Sequence, residues 1–209
     1  MSTIDPQLQR ILSECLQDNL YELLVGLAVV KEQEKEGEAQ VDCALPPETV
    51  GIQWHIESPK LFPFFKQKVA ADGSLMLQRP DGTWEAHILE CKATVNQDAW
   101  AKALRQMRWS LMRLRALAGV LGVQFSRVVL YTAFRKDEMR KDPVLLKLPL
   151  GDWQPANAEQ AEAEDVLQRQ RDWPRDDTGH VHLDGFDELF SHRKVKLDVQ
   201  AGTGQVQLG

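Results

Sequence analysis

Three cysteines in 209 residues, Cys15, Cys43 and Cys91, are too few and too scattered for a disulfide framework, and their spacings match no metal-ligand motif. That scarcity points to a reducing compartment, and a cytoplasmic protein is expected. No apolar run reaches the roughly 18–20 residues of a membrane span, and the start lacks a charged-then-apolar secretory pattern, so no membrane partner is expected. A basic excess is missing too. The 25 Lys+Arg against 31 Asp+Glu leave a net charge of −6, which argues against a protein coated with nucleic acid but not against a local basic face. No internal repeat is present. At 43% hydrophobic, the chain is long enough for one well-buried α/β domain plus an appendage.

What is present is an apolar strand pattern over residues 86–95 that carries both a carboxylate and an ammonium, Glu90 and Lys92. In a strand, positions i and i+2 point to one face, so the two charges project side by side. Burying either is costly unless it is paired or holds a metal. The pair therefore marks either a surface or a site.

The upstream sequence supplies a third group. Arg79-Pro80-Asp81-Gly82 is a turn: Pro pre-sets the φ of a type I turn and Gly accepts the left-handed conformation after it. A three-residue hairpin of this kind pairs Arg79 with Thr83, so paired residue numbers sum to 162. Asp72 then faces Glu90, and Ala70 faces Lys92. One sheet face carries Asp72, Ser74, Met76, Ile88, Glu90 and Lys92; the other carries Leu75, Leu77, Leu89 and Cys91, a core face. Asp81, the acid of the literal Pro-Asp, lies nine residues from Glu90. At about 3.3 Å per residue that is roughly 30 Å, too far to share an ion. Asp81 is read as a turn residue.

An Asp and a Glu facing each other, with a Lys two residues along, suit divalent-metal chemistry. Hard carboxylate oxygens hold Mg²⁺ or Mn²⁺, and a Lys can position water and offset charge on phosphorus. Two such carboxylates titrate as a coupled unit and bind metal poorly at low pH. Asp72, Glu90-Cys91-Lys92, their hairpin and the following helix resemble the PD-(D/E)XK nuclease superfamily, the restriction-endonuclease-like fold, over roughly residues 10–135. The resemblance implies that Asp72 and Glu90 bind the metal, that the Cys91 backbone carbonyl completes its shell, and that Lys92 orients the water. Three cysteines exclude the four-thiolate iron–sulfur site that some members carry.

The remaining chain is read around this core. Residues 6–36 follow helical spacing, with Asp5-Pro6 as the start, and Glu14 and Glu22 are candidates for an additional acid. Residues 41–63 are broken by prolines, with Trp54, Phe62, Phe64 and Phe65 as packing residues, and residues 64–71 are expected as a strand. After Asn96 an amphipathic helix turns Trp100, Leu104, Met107, Leu111, Leu114, Ala118 and Leu121 to the sheet. Residues 97–121 hold five basic groups (Lys102, Arg105, Arg108, Arg113, Arg115) against Asp98, leaving +4. Arg105, Arg108 and Arg115 form either a solvated face or a phosphate contact. Gln106 stands where exonuclease-like members carry a Gln, but the Tyr expected four residues on is Ser110. Residues 126–134 are a strand reached by a crossover, which makes a mixed sheet. Residues 147–155 read as loop, 157–170 as an acidic helix, 187–192 as a short helix and 202–209 as a mobile tail. His180 and His182 lack further ligands nearby.

The expected architecture is an α/β core (residues 1–150), its mixed sheet carrying the site on an antiparallel hairpin flanked by helices, and an acidic helical extension (151–209). By resemblance, the protein is a Mg²⁺- or Mn²⁺-dependent deoxyribonuclease with Asp72, Glu90 and Lys92 as catalytic residues, and Arg105, Gln106 and Arg108 as contacts to the DNA substrate. The alternative is an inactive nuclease-fold module that binds nucleic acid or a protein. Many nucleases of this type are dimers, so a homo-oligomer is compatible with the reading, although no segment identifies an interface.

Overall fold

The computed structural model describes residues 4–34, 37–56, 62, 65, 69–139, 173–174 and 176–209. The chain opens with helix α1, Pro6–Cys15, whose first turn is capped by the Asp5 carboxylate accepting from Gln7 N at 2.7 Å. A single 3₁₀ turn, Asp18–Leu20, leads into strands β1 (Tyr21–Val25), β2 (Leu27–Glu34), β3 (Gly37–Ala44) and β4 (Val50–Trp54). Strands β5 (Gly73–Gln78) and β6 (Trp84–Val95) form the hairpin, and helix α2 (Gln97–Leu121) crosses to β7 (Phe125–Asp137). Three later strands follow: β8 (Thr178–His182), β9 (Leu189–Lys196) and β10 (Thr203–Gln207).

Seven strands form one mixed sheet in the order β1-β4-β5-β6-β7-β9-β8, and β10-β3-β2 form a second. Strand β5 runs antiparallel to its neighbours β4 and β6, whereas β6, β7 and β9 run parallel. The large sheet has a core on each face. Met76, Ala86, Ile88 and Leu130 pack with Leu8 and Leu12 of α1 and with Trp100, Met107, Leu111 and Leu114 of α2. Leu75, Leu77, Leu89, Cys91 and Tyr131 pack on the other face with Ala28, Val30, Val41 and Cys43 of the small sheet. Strand β6 is thus covered on both sides, and its residues Trp84 to Lys92 are all buried, charged ones included. The α/β class and mixed sheet match expectation; among the described residues the cover differs, with helices α1 and α2 on one face and a three-stranded sheet on the other.

The hairpin follows the expected register. Ser74 pairs with Ile88 and Leu77 with Glu85, while Arg79 N donates to Thr83 O at 2.8 Å. Helix α2 begins where expected, with Asn96 Oδ1 accepting from Ala99 N at 2.9 Å, and ends at Gly122 in the left-handed conformation (φ 71°).

Four expectations are corrected. The long helix over 6–36 ends at Cys15, and residues 21–34 are strands. The Leu and Val positions there satisfy both helical and alternating spacing. β-branched Val25, Val29 and Val30 favour the strand, and Gly26 (φ 77°) lets the chain pass from one sheet to the other. Second, the strand expected over 64–71 begins later, at Gly73; residues 69–71 belong to no strand, and 63–64 and 66–68 lie outside the described residues. Third, 187–192 is not a helix: Leu189–Lys196 joins the large sheet between β7 and β8. Fourth, the tail is ordered as β10, parallel to β3, with Leu208 fully buried. The helical character expected over 151–209 is replaced by strands in 178–207, where β8, β9 and β10 complete both sheets; the loop at 147–155 and the acidic helix at 157–170 lie outside the described residues. Trp54 and Phe62 are buried as expected, and Phe64 is outside the described set.

Candidate metal centre at the start of strand β5

Glu90 and Lys92 are buried. Glu90 is 0% exposed and Lys92 5%, so the two charges are not a solvated surface pair. The Lys92 ammonium pairs with Glu90 Oε1 and donates to the Cys91 carbonyl at 2.9 Å. Glu90 Oε2 is buried with no hydrogen-bond partner among the described residues. An orphaned carboxylate oxygen on a central strand is costly, and such a group calls for a ligand.

Asp72 lies one residue before β5, where the register carries it opposite Glu90. Its Oδ2 accepts from Cys91 N at 2.7 Å, which fixes the carboxylate against the β6 backbone beside Glu90. The approach to Asp72 is clamped from α2. Gln106 Nε2 donates to Ala70 O at 3.0 Å, and Ser110 Oγ accepts from Ala71 N at 2.8 Å. Four residues apart, the two side chains share one helix face. Gln106, expected at the nucleic acid, is buried and positions the acid.

Burial, and then repulsion from Asp72, raise the Glu90 carboxyl well above the ordinary carboxylate range. Burial acts on Lys92 in the opposite sense, but attraction to Glu90, Asp72 and Glu32 outweighs it and holds the ammonium charged. Burial followed by Asp72 and Glu32 pushes the Cys91 thiol up, so it stays protonated.

Glu32 is the residue that sequence reasoning missed. It falls within the 6–36 segment whose spacing reads as a helix, but it lies on β2 of the small sheet, and one of its carboxylate oxygens comes within 4.8 Å of Asp72 and of Cys91 Sγ. Neither Glu14 nor Glu22 takes that place: Glu14 pairs with Arg10 at 3.0 Å on the surface of α1, and Glu22 is exposed on β1. The lateral row through Glu90 continues to Thr132 on β7 and Lys194 on β9. Lys194 sits over the Trp173 ring at 4.2 Å, and Thr132 Oγ1 bonds the buried His192 ring at 2.9 Å.

Asp81 is a turn residue, as expected. It is exposed and accepts from Thr83 N at 2.9 Å and Thr83 Oγ1 at 2.7 Å. The basic stripe of α2 is divided. Arg113 is buried and donates to Ile56 O at 2.7 Å. Arg115 pairs with Glu188 and lies over the Phe186 ring at 4.8 Å. Arg108 is half-buried beside Trp109, its guanidinium 5.4 Å from the ring centre. Lys102 and Arg105 remain exposed. His180 and His182 stand exposed on β8.

No helix among the described residues is long and apolar enough to cross a membrane. No protein-family model matches the chain, and no curated protein or solved structure is similar enough to it to lend it a family or a function.

Proposed function

We propose that this protein is a metal-dependent nuclease of the PD-(D/E)XK type, hydrolysing phosphodiester bonds in DNA. One observation carries the reading: Glu90 and Lys92 are buried side by side on the central strand, opposite Asp72, and one Glu90 oxygen has no partner among the described residues. The succession of antiparallel hairpin, helix and parallel strand supports it. The donor set fits a hard cation. Asp72, Glu90 and the Cys91 carbonyl would hold Mg²⁺ or Mn²⁺, which would polarise the phosphoryl oxygens and acidify a bound water.

The protein's own groups have separable tasks. Lys92 carries its charge beside both carboxylates and is held protonated by them, which suits it to orient water and neutralise phosphate charge rather than to abstract a proton. Asp72 is fixed through Cys91 N and through the Gln106–Ser110 clamp, so its place does not depend on a bound ion. Lys102 and Arg105 offer phosphate contacts on the outer surface of α2.

The test is cleavage of supercoiled, linear and single-stranded DNA with Mg²⁺ or Mn²⁺. Cleavage should need the metal and fall by orders of magnitude in Glu90→Ala and Lys92→Ala. Equal cleavage by these folded variants, or none by the wild type, sinks the proposal. A second reading, a non-catalytic nuclease fold that binds a partner, draws on Arg113, which is buried in the core, and on Arg115, which pairs with Glu188 at the surface, so that neither is offered to phosphate. Absence of Mn²⁺ binding that depends on Asp72 and Glu90, in calorimetry, would favour it.

A further inference from the structure

Asp72 has acids on both sides. Glu90 flanks it on the helix-covered face of the sheet, and Glu32 approaches from the small sheet, where Cys91 points. The approach of Glu32 is built into the packing. A β-carbon on Gly73 would come within 2.6 Å of Val30 Cγ2, so only glycine lets β2 press against the start of β5. Val30 and Glu32 share a strand face, which sets Glu32 next to the residue before Gly73.

We propose that Glu32, Asp72 and the Cys91 thiol form a second cation site, selective for a thiophilic divalent ion of the Zn²⁺ class. One ligand atom from each of the three lies within 4.8 Å of the others. Bond lengths of about 2.0–2.3 Å put the ligands of a tetrahedral zinc roughly 3.5 Å apart, so small side-chain rotations close the site. A second observation points to a ligand. Cys91 is 0% exposed, and its sulfur makes no hydrogen bond to any described residue, although it faces two carboxylates. The thiol has two carboxylates within reach and donates to neither, and thiolate and carboxylate together are a common borderline-metal set. Sulfur also discriminates: Mg²⁺ takes oxygen ligands, and Zn²⁺ takes both.

Binding forms one metal–sulfur bond and releases the thiol proton to solvent, with no change of oxidation state. Because Asp72 serves both sides, an ion held by Cys91 and Glu32 competes with one held by Glu90. On the nuclease reading, on which this regulatory consequence rests, Zn²⁺ therefore suppresses Mg²⁺-supported cleavage.

The probe is Co²⁺, titrated into the full chain carrying Cys15→Ser to remove the exposed thiol. Expected is a sulfur-to-cobalt charge-transfer band that Zn²⁺ abolishes, that vanishes in Cys91→Ala and Cys91→Ser, and that needs on the order of 10–100-fold more Co²⁺ in Glu32→Gln. Circular dichroism of each variant establishes folding, and Cys91→Ser keeps the size of the side chain. Cobalt binding without the band, or a band that survives loss of Cys91, overturns the site. The two readings separate cleanly. A thiolate band in a protein that never cleaves DNA refutes the nuclease and keeps the site. Cleavage without the band does the reverse.

Discussion

Lys92→Met is the most direct test of what burial does at the centre. In the native protein the ammonium is nearly enclosed and pairs with Glu90, itself fully buried. Removing one partner of such a pair leaves an uncompensated charge, which costs about 3–5 kcal/mol, whereas an exposed pair would cost at most about 1. For a chain of this size that corresponds to a fall in Tm of roughly 6–20 °C. The penalty has a pH signature. Glu90 has a folded-state pKa raised above its ordinary 4.5, so the folded state favours the protonated acid. Its contribution is best below the unfolded pKa and worsens as pH rises from about 4.5 toward the folded value. Without Lys92 the carboxylate loses its nearest counter-charge, and that slope should steepen. Urea unfolding followed by circular dichroism at pH 5 and pH 8, for wild type, Lys92→Met and Glu90→Leu/Lys92→Met, reads all of this. The single variant should lose most stability at pH 8, and the double variant should recover most of the loss by removing the stranded charge. If Lys92→Met stays within about 1 kcal/mol of wild type at pH 8, the pair behaves as a surface pair and the burial argument fails.

Four further outcomes follow from single residues. Glu85, on the opposite face, is held at about 2 first by its bond to His87 and then by Arg79. Its stabilisation, about 3 kcal/mol, is present above pH 4.5 and lost as pH falls toward 2, so Glu85→Gln should flatten the acid limb of stability; an unchanged limb refutes it. Gly73→Ala drives a methyl into Val30 and should cost about 1–3 kcal/mol in chemical unfolding, with much of it returned by adding Val30→Ala; equal losses in both would show that Val30 is not the obstacle. Arg113→Met should lose about 1–3 kcal/mol by stranding the Ile56 carbonyl. Arg105→Ala should leave stability within about 0.5 kcal/mol and, on the nuclease reading, raise KM and lower the salt slope of DNA binding by about 1; the opposite pattern would reverse the roles assigned along α2.

The strong local signals were legible. Pro80-Asp81-Gly82 specified a hairpin whose register places Asp72 opposite Glu90 and excludes Asp81, because the turn sets pairing and the period of two assigns faces. The amphipathic period of α2 likewise matched its buried face. Less legible was the segment from Tyr21 to Glu34, where leucine spacing fits a helix as well as a strand. Propensity is a weak guide there because partner strands β3 and β4 decide the outcome. The same holds for β10 and for the pairing of β9 with β7, where the partner strand lies far off in sequence.

From the sequence alone came the hairpin, its register and the alignment of Asp72, Glu90 and Lys92, all consequences of nearest-neighbour chemistry and the strand period. Tertiary structure alone decided that this pair is buried, since a second sheet covers the far face of β6 and α2 the near one. It also turned Gln106 into a clamp and Arg113 into a core group, and brought Glu32 within 4.8 Å of Asp72 across 40 residues of chain. No local pattern encodes such a meeting, because it depends on how two sheets pack, and that is set by the side chains between them.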